Sequence, residues 1–126
     1  MTYTFMVQGE YLNLHQSMRS SDFLYGNPYN SAFTALWLAL FSKALGYKAG
    51  AIYYTGTDVH LYDNQLEVAE ELLRVPSEDL DKFSIPQIKI NKEINTLEDV
   101  LNVQWEDIEV IDWKRGPKIG NAKMAV

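Results

Sequence analysis

Cysteine is absent from all 126 residues of this chain. Its lack excludes disulfides, thiolate metal ligands and a thiol nucleophile supplied by the chain itself. Arginine is scarce: Arg19, Arg74 and Arg115 are the whole set, in a chain of net charge −6. A nucleic-acid binder carries a basic stripe. None is visible, so nucleic acid is not an expected partner. Long apolar runs are missing too; the longest, Ala35 to Phe41, falls far short of the roughly 20 residues of a membrane helix. The opening MTYTFMVQGE has neither a basic start nor a long apolar stretch, so no secretory leader is expected. These absences point to a cytoplasmic protein without a membrane partner.

What remains is a globular composition, 47% hydrophobic and 22% charged, long enough for one domain with a core. Tyr3, Phe5 and Val7 alternate with Thr4 and Met6, which predicts a strand turning at Gln8-Gly9-Glu10 into a second strand that reaches Arg19. A helix is expected from a cap at Asn30 or Ser31 to Leu45, stopped by Gly46. Its apolar residues cover most faces, so it should be buried all round. Ile52 to Thr55, continuing towards Leu61, reads as a strand, and Asn64 to Arg74 as an amphipathic helix. Pro76 to Asp81 reads as a loop, Gln87 to Ile90 as a strand, and Thr96 to Val100 as a capped helical turn. Ile108 to Trp113 is a further strand, and Gly116-Pro117 turns into a last extended piece. Strands outnumber helices, which makes the class α+β or mixed α/β.

Two polar blocks interrupt this pattern. In the first, Arg19 can hold a phosphate in two parallel hydrogen bonds, Ser20 can add a hydroxyl, and the Asn30 amide can meet N3–H and O4 of uracil in one plane. The plainer alternative pairs Arg19 with Asp22 and leaves Asn30 as a helix cap. In the second, Asp58, His60 and Tyr62 share one strand face because the side-chain period is two. They could relay a proton, grip a sugar hydroxyl, or merely bond to one another at a strand end. No metal is expected there, since only two of the three are usual ligands and no cysteine or further histidine lies near.

The first block resembles the segment Gln-Arg-Ser-x-Asp-x-x-Leu-Gly-x-Pro-Phe-Asn of thymidylate synthases and their pyrimidine hydroxymethylase relatives. Arg19, Ser20, Asp22, Gly26, Pro28 and Asn30 fall on it without gaps; Met18, Tyr25 and Tyr29 depart from it. The second resembles the family's Gly-Asp-x-His-x-Tyr-x-Asn through Asp58, His60, Tyr62 and Asn64, with Thr57 in the glycine's place. The resemblance implies the family's layered α+β fold over residues 1–126, as its C-terminal half. It implies that Arg19 and Ser20 bind the nucleotide phosphate, Asn30 the base, and His60 and Tyr62 the deoxyribose. Asp22, Gly26 and the terminal Val126 would meet 5,10-methylenetetrahydrofolate, and dUMP would be the substrate. An amide at Asn30, where cytidylate hydroxymethylases typically carry aspartate, implies uracil rather than cytosine.

In the family a Pro-Cys-His segment precedes the first of these strands, and its cysteine adds to C6 of the pyrimidine. By alignment that cysteine would fall just before Met1, together with the family's catalytic glutamate and the arginines that cross the dimer. The chain alone is therefore expected to be inactive, with no catalytic residue of its own. Three readings follow. In the first, a second chain supplies the cysteine-bearing half, completing one-carbon transfer to C5 of dUMP; in the second, the chain is a non-catalytic nucleotide-binding or protein-interaction relative; in the third, it keeps the scaffold only. A chain that starts at a strand exposes a sheet edge, and the family dimerises through packed sheets. A partner chain, a homodimer, or both are therefore expected rather than a lone monomer.

Overall fold

The first strand, β1 (Thr2–Gln8), returns as β2 (Tyr11–Asp22) through a two-residue turn with Gly9 at φ +59°. Glycine at the first central position suits the right-handed twist of a hairpin. From the end of β2 the helix α1 (Gly26–Leu45) crosses back to β3 (Lys48–His60), which pairs with β2 in parallel. The order β1-β2-β3 puts β2 in the middle. A short 3-10 turn (Asp63–Gln65) and α2 (Leu66–Leu73) follow. A second, two-stranded antiparallel sheet joins β4 (Gln87–Ile90) to β5 (Ile108–Ile111), with α3 (Leu97–Leu101) and a 3-10 turn (Trp105–Asp107) between them. This computed structural model describes residues 1–75 and 86–114.

The core sits where α1 crosses the sheet. Leu12 and Leu14 of β2 meet Leu38 of α1, and Tyr3, Phe5, Trp37 and Phe41 pack around them. The aromatic rings form a continuous row: Tyr3 stacks on Trp37 at 5.3 Å, Trp37 meets Phe41 at 5.4 Å, and Phe41 meets Phe5 at 4.9 Å. A β-bulge between Leu12 and Leu14 leaves the Ala51 amide without a ladder partner, and the buried Asn13 side chain accepts its hydrogen bond through Oδ1 at 2.8 Å. Any Cβ at Gly50 would overlap that oxygen. At the other end of α1, Gly46 adopts the left-handed C-cap at φ +73°. Lys43 Nζ donates to the carbonyls of Ile90 at 3.1 Å and Lys92 at 3.0 Å, tying the helix to the small sheet.

The hairpin, the Gly46 stop, the two later strands and the Thr96 cap follow the sequence pattern. Thr96 Oγ1 accepts from the Asp99 amide at 3.2 Å while Asp99 Oδ2 accepts from the Thr96 amide at 2.9 Å, a reciprocal capping box. Two expectations fail. Helix α1 begins at Gly26, so neither Asn30 nor Ser31 caps it. Asp22 Oδ1 accepts from the amides of Leu24 at 3.0 Å and Tyr25 at 3.2 Å, and this turn launches the helix earlier. Pro28 is tolerated because first-turn N–H groups have no partner within the helix. Nor is α1 buried all round: Tyr29, Phe33 and Leu45 are exposed. One sheet covers one flank of a helix, and the flank of Phe33 and Leu36 only borders a hollow of about 400 Å³ beside Ile88, Trp105 and Val110. The expected loop Pro76 to Asp81, the turn at Gly116-Pro117 and the last extended piece lie outside the described residues.

Candidate functional site

A parallel strand pair with a helical crossover gathers side chains at the carboxyl ends of its strands, beside the N-terminus of the helix. Here those ends carry both polar blocks. Register pairs Ser20 with Asp58 and Asp22 with His60, and the Phe23 amide donates to the His60 carbonyl at 2.9 Å. Blocks some forty residues apart in sequence are thus joined backbone to backbone.

Asp22 is the hub. Its Oδ1 accepts the two amides that start α1, and its Oδ2 accepts from Gln65 Nε2 at 3.0 Å. Gln65 is completely buried. Its Oε1 takes the Tyr62 amide at 3.3 Å, and its own amide donates to the Tyr62 carbonyl at 2.9 Å. One glutamine therefore links the carboxylate of the first block to the backbone of the second. Sequence reasoning missed it, because Gln65 closes the polar run Asp63-Asn64-Gln65, which carries no sign of burial.

Asn30 lies one helical turn beyond Gly26. A Cβ on Gly26 would come within 3.3 Å of Asp22 Cβ and 3.9 Å of Asn30 Nδ2, so glycine keeps a narrow gap open between these two side chains. Thr34 Oγ1 lies 2.7 Å from both the Asn30 carbonyl and the Gln16 side-chain amide. The Gln16 atom facing it is Oε1, so the single proton of the Thr34 hydroxyl stands between two acceptors, Gln16 Oε1 and the Asn30 carbonyl. The Asn30 carboxamide itself has no hydrogen bond to any described residue.

On the neighbouring strand, His60 Nδ1 stands 3.4 Å from Asp58 Oδ1, and the Tyr62 ring meets the His60 ring edge-on at 5.0 Å. The expectation of one strand face needs adjusting: β3 ends at His60, and Tyr62 lies beyond it, brought back by the Gln65 bonds. Ser20, Asp22, Gly26, Asn30, His60 and Tyr62 are thus assembled at one end of the sheet. Arg19 is exposed and leaves the sheet on the face opposite to Ser20, because consecutive strand residues alternate. Neither plain alternative for the first block occurs. Arg19 makes no ion pair among the described residues, and Asp22 is engaged with backbone and amide donors instead. Val126 lies outside the described residues. Three surface hollows are lined by residues outside this cluster. Among the described residues, no three metal-ligating side chains converge, and no helix is long and apolar enough to cross a membrane.

The thymidylate synthase family profile matches residues 1–126, the full length of the sequence. The chain belongs to the thymidylate synthase family. Thymidylate synthase of Mycoplasma mobile is 35% identical over 125 residues, covering 98% of this chain and 40% of that protein. Thymidylate synthase of Pseudoalteromonas translucida is 36% identical over 116 residues, covering 90% and 39%. The structure of thymidylate synthase from T4 phage superposes with a TM-score of 0.80 at 27% identity, over 98% of this chain and 44% of that one. That of thermostable thymidylate synthase A from Bacillus subtilis shares the fold at a TM-score of 0.82, with 22% identity, over 96% and 41%. The α+β fold of thymidylate synthases is therefore the fold of this chain. It spans about two fifths of the length of the curated relatives it matches. As a family, thymidylate synthases use methylenetetrahydrofolate, bind dUMP and form dimers.

Proposed function

We propose that this chain is the C-terminal part of a thymidylate synthase-type site, one domain over residues 1–126. Completed by a cysteine-bearing chain, that site would transfer a one-carbon unit from 5,10-methylenetetrahydrofolate to C5 of dUMP. The observation that carries this reading is the convergence of Ser20, Asp22, Gly26, Asn30, His60 and Tyr62 at one sheet end, with the Asn30 carboxamide uncommitted. In this reading Asn30 pairs with the uracil edge, His60 and Tyr62 hold the deoxyribose, and Ser20 meets the phosphate, with Arg19, on the opposite strand face but past the last β1 pairing at Ser17, reaching round that open edge to join it.

The folate fits the residues present. Asp22 Oδ2 holds one protein hydrogen bond, from Gln65, and a carboxylate oxygen accepts two, so an acceptor position is left for a ring N–H. The cradle beside it is one that a Cβ on Gly26 would narrow. Asp22 and Gly26 would hold the cofactor, with Val126 as the proposed closing residue. When bound, the cofactor supplies the one-carbon unit. The chain's own part is to orient base and pterin, while the nucleophilic thiol comes from the partner, since this sequence has none.

The missing cysteine also favours a second reading, a non-catalytic nucleotide-binding relative. Calorimetry with dUMP on wild type and Asn30→Ala tests what both share: binding that the substitution abolishes supports them, and absence of binding leaves scaffold alone. Tritium release from C5-labelled dUMP, with and without a cysteine-bearing partner chain, then separates enzyme from binder. On the same family ground we place the protein in the cytoplasm and expect the sheet face away from α1 to pair with a second copy.

A further inference from the structure

Gln65 holds no ligand in the reading above, yet it is a fully buried polar side chain at the junction of the two blocks. Its amide has one orientation open to it. The Tyr62 N–H donates and the Asp22 carboxylate accepts, so oxygen must face the first, at 3.3 Å, and nitrogen the second, at 3.0 Å. The Gln65 backbone N–H also donates to the Tyr62 carbonyl at 2.9 Å. Both backbone polar groups of Tyr62 are therefore held by one residue, across the 3-10 turn Asp63–Gln65. Tyr62 cannot shift without carrying Gln65 along or breaking one of these bonds.

The far end of the same side chain sets the direction of a carboxylate. Asp22 Oδ1 accepts from the amides of Leu24 at 3.0 Å and Tyr25 at 3.2 Å, which fills the two positions of one carboxylate oxygen. Those bonds anchor Oδ1 to the start of α1 and leave Oδ2 as the oxygen free to serve a ligand. Gln65 Nε2 occupies one of its two acceptor positions, and so decides where the other points. Solvent does not reach Gln65, so no water competes with its amide for this role. One rigid amide thus joins the backbone of Tyr62, at the sugar end of the site, to the oxygen that Asp22 presents at the other end.

We propose that Gln65 is a positioning residue that couples the two ligands: a nucleotide sugar seated against Tyr62 sets, through this amide, the Oδ2 acceptor that Asp22 offers to the folate. The inference rests on the site reading proposed above and adds how its two ends communicate. Coupling of this kind is reciprocal, so each ligand raises the other's affinity by the same factor. Calorimetry of the full chain with dUMP and 5,10-methylenetetrahydrofolate, each alone and each with the other saturating, measures that factor. The chain has no thiol, so both ligands can be titrated without turnover. Wild type should show a mutual enhancement of about tenfold, and Gln65→Leu and Gln65→Met, which refill the site without its bonds, less than about threefold. A glutamine that merely braced the fold would, when lost, weaken each ligand alone and leave the factor unchanged; that result overturns the proposal. Enhancement that comes from contact between the two ligands also survives both substitutions and overturns it, as does a wild-type factor of one. A wild type that fails to bind either ligand overturns the site reading, and the coupling with it. If neither variant keeps native circular dichroism, nuclear magnetic resonance of wild type decides: dUMP alone should shift the Gln65 side-chain amide signals, and unmoved signals overturn the coupling.

Discussion

Replacing Gln65 by leucine tests whether the link between the two polar blocks is structural as well as positional. Leucine has nearly the same volume, so the buried site is refilled without a large cavity. Two hydrogen bonds go: Nε2 to the Asp22 carboxylate at 3.0 Å and Oε1 from the Tyr62 amide at 3.3 Å. A bond to a charged acceptor contributes about 1.5–3 kcal/mol and a neutral one about 1 kcal/mol. Asp22 is half-buried and keeps its two backbone donors, so water recovers part of the first loss. The expected destabilisation is about 2–3 kcal/mol, read as a lowered urea midpoint at unchanged slope in parallel fluorescence and circular-dichroism titrations. Glutamate at the same position sharpens the test. It sets one carboxylate against another, which raises the pKa of a carboxyl in the folded state. A group raised in this way stabilises below its unfolded pKa and loses that contribution as pH rises. Gln65→Glu should therefore be more destabilised, relative to wild type, at about pH 8 than at about pH 5. If Gln65→Leu stays within about 0.5 kcal/mol of wild type and Gln65→Glu shows no such pH dependence, the role of Gln65 as a link is refuted.

Gly26→Ala should leave stability within about 1 kcal/mol, since alanine suits the first turn of a helix. Its Cβ presses on Asp22 Cβ at 3.3 Å, so calorimetric affinity for dUMP and folate should fall while the urea midpoint barely moves. Gly50→Ala has the opposite profile: its Cβ overlaps Asn13 Oδ1 and strains the bulge, with an expected loss of about 1–3 kcal/mol in the same titration. Thr96→Ala should cost about 1 kcal/mol by removing the α3 cap. The Asn95 amide and the Thr96 hydroxyl hold the Asp99 carboxyl below its ordinary value. A carboxyl depressed in the folded state stabilises above its unfolded pKa and loses that contribution as pH falls through the folded one. The cap's share should therefore vanish only in the acid range below about pH 4, which an acid titration of wild type against Asp99→Asn would reveal.

Local chemistry carried much of this fold to the surface of the sequence. Alternation in Thr2–Gln8, glycine at Gly9 and Gly46, and the threonine–aspartate spacing at Thr96 and Asp99 each act through neighbours within a few residues, so each was legible. The helix start was not. Asn30 has the chemistry of a cap, but Asp22 has it too, and which one acts depends on where the chain leaves β2. The launch from Asp22 is confirmed by its bonds to Leu24 and Tyr25, and it alters what Asn30 is. Relieved of capping, the Asn30 side chain is left without a partner among the described residues, as the proposed base-reading role requires.

The periodic apolar faces give a different lesson. Leu66, Leu72 and Leu73 mark α2 as amphipathic, yet none of them is buried, and Leu73 is 86% exposed. Trp105 and Phe33, at the rim of the hollow between α1 and the small sheet, are exposed as well. Period reports that a face avoids water; it does not report what covers it. Polar burial fails in the opposite way. Gln16, Thr34 and Gln65 are fully buried, and their side chains bond across elements, to one another or to Asp22. No local pattern reveals this, because the partner that makes burial tolerable is supplied by another element. In this chain the two polar blocks of the candidate site were each legible within their own segment. The link between them was hidden at Gln65, where a single side chain must satisfy two segments at once.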